Sequence, residues 1–202
     1  MKQTDIAEFA GALGLSASEI QIALIARFEE ILLGERGKSL GLISRDDRDR
    51  ARERHILDCM RAAVPAPTTG LAYDLGSGGG LPGVVVGILR PRLSLKLVER
   101  RSLRAAFLEW VVDEMSLPNV EVAAGGIEDL PAGLADACFA RALAPLAGSW
   151  ALAADLLRAG GTLVYFAGEK SEVPDSLPKA RSIQVLPSEV LESAGPLAII
   201  TR

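Results

Sequence analysis

The chain has 202 residues, 49% hydrophobic and 24% charged, which is enough for one domain with a sizeable core built from aliphatic side chains, since aromatics make up only 4%. A net charge of −4 and a pI near 5.2 exclude a protein coated in positive charge for indiscriminate nucleic-acid binding. No apolar run reaches the ~20 residues of a membrane span, no basic-then-apolar leader surrounds Asp5 and Glu8, and the isolated Cys59 and Cys138 form neither a disulfide framework nor a metal cluster. A cytoplasmic monomer without membrane or metal partners is expected.

In chain order, Ile6, Phe9, Ala10 and Leu13 recur at helical spacing. Ser16-Ala-Ser-Glu19 then has the form of a capping box. Behind it Ile20, Leu24, Phe28, Ile31 and Leu32 give the next helix one apolar face, until Gly34 ends it. This stretch reads as a helical cap on a larger core. Residues 45–54, with five arginines against four acids, read as a solvated helix face, with phosphate contact as a second use.

From residue 71 short apolar runs alternate with helical stretches. Strands are expected at 71–75, 93–99, 119–123, 135–140 and 161–167, and helices at 84–89, 105–115 and 149–157. That alternation marks an α/β domain on a mostly parallel sheet. Residues 182–186 and 196–201 add a final antiparallel pair, giving a seven-stranded, Rossmann-like sheet. One domain spans 1–202, with a helical cap over 1–60 and the α/β core over 71–202.

The first strand runs into Asp74-Leu-Gly-Ser-Gly-Gly-Gly-Leu-Pro-Gly83. In such sheets ligands bind beyond the carboxyl ends of the strands, and glycines there let backbone N–H groups approach a ligand. Two registers fit. Gly78-x-Gly80-x-x-Gly83 satisfies the dinucleotide fingerprint, while Asp74-x-Gly76-x-Gly78-x-Gly80 satisfies the acid-led loop of class I methyltransferases. The second is favoured on three grounds. A pyrophosphate would be repelled by Asp74, the dinucleotide register forces Gly76 and Ser77 into strand-like positions they suit poorly, and Pro82 belongs in a first helical turn. Asp74 would hold a ligand's cationic end or order the loop. Glu99, ending the second strand, can accept both hydroxyls of a ribose. Ile127 and Glu128, past the third strand, can hold an adenine.

Arg54-His-Ile-Leu-Asp58, the loop 74–83, and Ala140-Arg-Ala-Leu-Ala-Pro-Leu146 together resemble the 16S ribosomal RNA guanine-N7 methyltransferases, also called glucose-inhibited division protein B. The resemblance runs over about residues 52–167. It implies a class I S-adenosylmethionine-dependent methyltransferase fold with an N-terminal helical cap. It implies S-adenosyl-L-methionine as methyl donor, and a guanine N7 of small-subunit ribosomal RNA, free or in the assembled subunit, as acceptor. By position, Gly76, Ser77, Gly78, Gly80 and Leu81 would form the cofactor loop, Ile127 and Glu128 would flank the adenine, and Arg141 would sit near the methionine end and the incoming RNA. Glu99 stands where the family usually has Asp. Gly41-Leu-Ile-Ser44 replaces the usual Asn-Leu-Thr, and Leu103, Ala106 and Ala167 replace basic residues.

Guanine N7 carries an available lone pair, so attack on a sulfonium methyl requires no general base. The chain agrees: it has a single histidine, His55, and no Ser-His-Asp or Cys-His set. His55 and Arg141 are positioning candidates. His55 is also an RNA-contact candidate or a structural residue bonded to Asp58. Residues 90–104 hold six basic side chains against one acid, and Arg100, Arg101 and Arg104 are the candidates for RNA contact. A diverged methyltransferase acting on another RNA or a small molecule, and a nicotinamide-dependent oxidoreductase or nucleotide-binding module, are the competing readings. No Tyr-x-x-x-Lys pair supports the oxidoreductase.

Overall fold

The computed structural model describes residues 5–168, 171–188, 190–191 and 194–202, so part of the connection 187–195 lies outside it. The described residues form seven strands: β1 (Gly70–Leu75), β2 (Leu93–Glu99), β3 (Val120–Ala124), β4 (Ala135–Ala140), β5 (Leu157–Phe166), β6 (Ser182–Leu186) and β7 (Leu197–Thr201). They form one sheet in the order β3-β2-β1-β4-β5-β7-β6. The first five are mutually parallel, and β7 runs antiparallel between β5 and β6. The expected final antiparallel pair is therefore present. It is inserted with β7 inside β6, which gives exposed β6 the edge.

Helices cover both faces, so the central strands are buried on each side and read as nearly continuous apolar runs. Phe107, Leu108 and Val111 of α6 (Ser102–Glu114), with α5 (Gly83–Leu89), pack on Ala72, Leu95, Leu97, Ala137 and Phe139. The opposite side chains, Tyr73, Leu75, Cys138 and Ala140, pack on Trp150, Ala153 and Ala154 of α7 (Leu146–Leu156). Each large aliphatic or aromatic side chain buried this way contributes roughly 1.5–3 kcal/mol. Trp150 satisfies its indole by donating to the Pro178 carbonyl at 2.7 Å.

The N-terminal segment forms α1 (Ile6–Ala12), α2 (Glu19–Leu33) and α3 (Glu35–Ser39). A 3-10 turn (Arg45–Arg50), a π-helical segment (Arg52–Leu57) and α4 (Asp58–Arg61) follow. Asp5 caps α1, accepting from the N–H groups of Ala7 and Glu8. The capping box of α2 lies two residues beyond the expected one, on Ser18 and Gln21. Gln21 decides this, because its amide also donates to the Ile88 carbonyl at 2.6 Å, tying α2 to α5. The buried stripe of α2 is correspondingly rotated: Ile25, Phe28, Ile31 and Leu32 are buried, whereas Ile20 is 74% exposed. Two further fastenings hold these helices to the core. Arg27 pairs with Glu114 at 3.3 Å, and the Arg36 guanidinium lies 4.0 Å over the Trp110 ring.

Candidate functional site

The strand order reverses between β1 and β4, and the loops leaving those strands meet at their carboxyl ends. After β1 the chain turns sharply. Gly76, Gly78 and Gly80 have φ of 71°, 56° and 90°, the left-handed region that side-chain-bearing residues rarely adopt. The Ser77 N–H donates to Val98 O, its hydroxyl to Asp74 O, and its own carbonyl accepts from Gly80 N–H. Gly80 faces backward, where a Cβ would lie 3.2 Å from the Phe28 ring and 2.7 Å from Val84.

Asp74 is 1% exposed and lies beneath the loop, where its Oδ2 accepts from Gly83 N–H at 3.1 Å. Burial pushes its carboxyl up to about 6, against the opposing pull of the nearby Ser77 hydroxyl and the Gly83 N–H. Of its two anticipated uses, ordering the loop is the one the geometry displays. Gly83 has no room for a Cβ, which would sit 2.3 Å from Leu97 and 2.6 Å from the Asp74 carboxylate.

A cavity of about 390 Å³ opens on one side of the loop, walled by Gly76, Glu99, Arg104, Ile127, Glu128 and Leu143. Glu99 is buried. Its Oε2 accepts from Gly78 N–H at 2.9 Å and its Oε1 from Arg101 N–H at 2.8 Å. Ile127 and Glu128 sit on a 3-10 turn (Ile127–Asp129) pinned by Gly126 N–H donating to Asp129.

Two further cavities adjoin it. One, about 280 Å³, is lined by Ile43, His55, Ser77, Gly78, Leu81 and Arg141. The other, about 720 Å³, is lined by Arg54, Asp58, Arg141, Tyr165, Phe166 and Gly195. Ala142 borders all three, with φ of 53°, so the β4–α7 loop turns at the point where they meet. A residue other than glycine held there stores local strain, a common property of functional loops.

Arg141 forms the wall between the last two cavities. Its Nη2 donates to the Arg54 carbonyl and to His55 Nδ1, both at 2.8 Å. Acceptance at Nδ1 places the histidine proton on Nε2, which lies 3.9 Å from Asp47 Oδ2. Burial and the Arg141 charge lower the His55 pKa to about 4, so the ring is neutral at physiological pH. Asp58 is not the histidine's partner. Its Oδ1 accepts from Arg61 at 2.7 Å, and its Oδ2 lies 3.8 Å from Arg141 Nε. The π-helical winding over 52–57 accounts for this, since its wider turn takes residue 58 off the face of residue 55.

Most of the residues singled out from sequence converge here. Gly76, Ser77, Gly78, Leu81, Glu99, Ile127, Glu128 and Arg141 line the first two cavities, while Asp74 and Gly80 support the loop from behind. The basic run 90–104 does not form one patch. Arg90 lies before β2, donating to the Leu89 and Ala63 carbonyls, and Lys96 pairs with Glu121 at 3.2 Å. Only Arg100, Arg101 and Arg104 reach the cleft, and Arg104 borders both the first and second cavities. Ala142 and Leu143 were not anticipated, because nothing in Ala-Leu-Ala announces a positive φ. Leu143 packs so closely that a Cβ on Gly76 would lie 2.8 Å from it. Cys59 is buried, and desolvation pushes its thiol up to about 12, which makes it unreactive. No group of three or more metal-binding side chains occurs among the described residues, and no helix among them is long and apolar enough to cross a membrane.

Residues 21–192 match the family model GidB, rRNA small subunit methyltransferase G. The chain belongs to this family. Over 142 residues it is 43% identical to a ribosomal RNA small subunit methyltransferase G of Thermobifida fusca, covering 70% of this chain and 60% of that protein. Its 44% identity to the Nocardioides protein of the same name covers 62% of this chain and 50% of the other. The chain thus spans about half to three-fifths of the length of these relatives. A S-adenosylmethionine-dependent methyltransferase of Aquifex aeolicus shares the fold with TM-score 0.57 and 14% identity, over 83% of this chain and 98% of that one. A predicted O-methyltransferase of Agrobacterium tumefaciens also has TM-score 0.57, at 17% identity, over 71% of this chain and 79% of that one. The fold of this GidB-family chain is that of a class I methyltransferase.

Proposed function

We propose that this chain transfers a methyl group from S-adenosyl-L-methionine to N7 of a guanine in small-subunit ribosomal RNA. One observation carries the reading: the three cavities form a continuous cleft that changes character at Ala142. On one side stand a carboxylate and an apolar side chain suited to an adenosyl group, Glu99 and Ile127, beside a loop of bare glycines. On the other stands a larger polar chamber containing Arg54 and Arg141. Membership of the GidB family supports the acceptor class.

The residues present fit this cofactor. Glu99 retains acceptor capacity beyond its two backbone donors, so it would take the ribose hydroxyls. Ile127 and Glu128 would flank the adenine, and the loop 76–81 would hold the methionine end above Asp74. When bound, the cofactor supplies an electrophilic methyl group on a sulfonium. The chain's own part is to hold the acceptor in line with that group and to exclude water, since proximity and orientation can carry much of such a barrier. A neutral His55 whose Nδ1 is already engaged by Arg141 agrees with a transfer that needs no proton abstraction. Arg100, Arg101 and Arg104 would meet phosphates at the rim, with affinity falling as salt rises. The whole unit would act as one methyltransferase domain, with residues 1–60 as its cap.

The test incubates the protein and labelled S-adenosylmethionine with small ribosomal subunits from a strain lacking the enzyme, then maps N7-methylguanine by strand scission. One labelled guanine supports the assignment. No label, despite saturable binding of S-adenosylhomocysteine, refutes the ribosomal acceptor and keeps the cofactor.

A further inference from the structure

We propose that Asp58, together with Arg141, reads the acceptor base as guanine. This rests on the guanine-N7 reading given above and names the residues that would enforce it.

Asp58 is the only acidic side chain lining the 720 Å³ chamber among the described residues. Its two oxygens are not equivalent. Oδ1 is held by Arg61, which also donates to the Gly195 carbonyl at 2.9 Å and is only 4% exposed. Oδ2 accepts no hydrogen bond among the described residues and lies 3.8 Å from Arg141 Nε. The carboxylate is therefore fixed through one oxygen and offers the other. Arg141 is divided in the same way. Its Nη2 is committed to Arg54 and His55, whereas Nε and Nη1 donate to nothing among the described residues. Neither the free oxygen of Asp58 nor the free nitrogens of Arg141 are among the fully enclosed, unpaired polar atoms of the described residues.

Asp58 Oδ2, an acceptor with no hydrogen bond, stands 3.8 Å from Arg141, whose Nε and Nη1 are donors with none, and Arg141 is followed in the chain by Ala142, where all three cavities meet. The edge of guanine runs N1–H, O6, N7: a donor, an acceptor, and then the nucleophile. The two series match in sequence and polarity. N1–H donates to Asp58, O6 accepts from Arg141, and N7 is carried to the junction with the cofactor cavity. Adenine reverses both contacts, presenting an acceptor at N1 to the carboxylate and an amino group to the guanidinium. A site that hydrogen-bonds its substrate rejects an analogue that leaves buried polar groups unpaired far more strongly than an apolar pocket rejects one of the wrong size. Phe166, whose ring centroid lies 5.8 Å from the Arg141 guanidinium, gives the chamber an aromatic wall for an extruded base.

The test uses the full chain saturated with S-adenosylhomocysteine and titrated with GMP, IMP, AMP and 1-methyl-GMP. Binding is followed by calorimetry and by the ring resonances of the single histidine, which contacts Arg141. GMP and IMP, which share N1–H and O6, should bind with similar affinity. AMP and 1-methyl-GMP should bind at least about tenfold more weakly, the size of effect a hydrogen bond to a charged group produces. In Asp58→Asn the gap between GMP and 1-methyl-GMP should close while S-adenosylhomocysteine affinity is kept. Equal binding of GMP and 1-methyl-GMP by the wild type, or no saturable GMP binding, overturns the proposal without depending on how the variant folds. Selective GMP binding by a protein that methylates no ribosomal subunit would leave base reading standing and remove the ribosomal acceptor instead.

Discussion

Replacing Asp74 by asparagine tests how the glycine loop is held. The carboxyl is fully buried, and burial raises its pKa from the usual 3.8 to about 6. A folded-state pKa above the unfolded value means that the native chain holds this proton more tightly. Stability from this group is therefore present below about pH 4 and is lost as pH rises to about 6. A difference of about 2 units corresponds to roughly 3 kcal/mol against the ionised form. Asparagine keeps an oxygen for the Gly83 N–H and places an amide near the Ser77 hydroxyl, but carries no charge to desolvate. The variant's stability relative to wild type should therefore rise by roughly 2 kcal/mol between pH 4.5 and pH 7.5. In thermal melts of a chain this long, that is a relative gain on the order of 5–10 °C. Circular dichroism melts of both proteins across this pH range, with S-adenosylhomocysteine absent, provide the comparison. A difference between variant and wild type that stays constant with pH would show that desolvation of Asp74 is not what the loop's geometry imposes.

Gly83→Ala forces a methyl against Leu97 and the Asp74 carboxylate, so urea denaturation should show a loss of about 2–4 kcal/mol from overpacking and a weakened buried hydrogen bond. Ala142→Gly removes the left-handed strain of an alanine, and after the added freedom of the unfolded chain should gain roughly 0.5–1 kcal/mol in the same assay. The single histidine should appear by nitrogen-15 NMR as the Nε2–H tautomer and remain neutral from pH 8 down to about 5, titrating near 4. A ring that titrates near 6.5 would mean that Arg141 is not seated against it.

The strands were legible because nearly continuous apolar runs alternate with helical stretches, and six of the seven match within a residue or so at each end. β5 begins earlier than expected, at Leu157, because Leu157 already pairs with Ala135 of β4, while Arg-Ala-Gly-Gly, which reads as a turn, forms the irregularity before pairing resumes at Thr162. The displaced capping box shows the limit of local patterns. Ser16-x-x-Glu19 and Ser18-x-x-Gln21 both qualify by spacing, and a tertiary hydrogen bond to Ile88 chooses the second. In the site, residues whose placement follows from backbone shape or strand-end position were visible, namely the glycines, Glu99 and Ile127, which stand along the cleft. Partnerships were not. His55 meets Arg141 across 86 positions, and the carboxylate three residues away in sequence belongs to Arg61 instead. Charge counted along 90–104 likewise could not tell one patch from a dispersed set, since a strand carries its two termini to opposite ends of the sheet.

The packing of Phe28 behind Gly80, and of Leu32 against Gly79, means that the glycine loop is moulded on its reverse side by the cap. Cap and loop are therefore one mechanical part. A shortened side chain at Phe28 would leave every cleft-lining residue in place and still let the loop sag inward. Under the proposed function, such a protein would present as a weak binder of S-adenosylmethionine with every residue of the cleft unchanged. In this fold, lesions that look like errors of chemistry can begin some fifty residues upstream of the motif, in a helix that lines none of the three cavities.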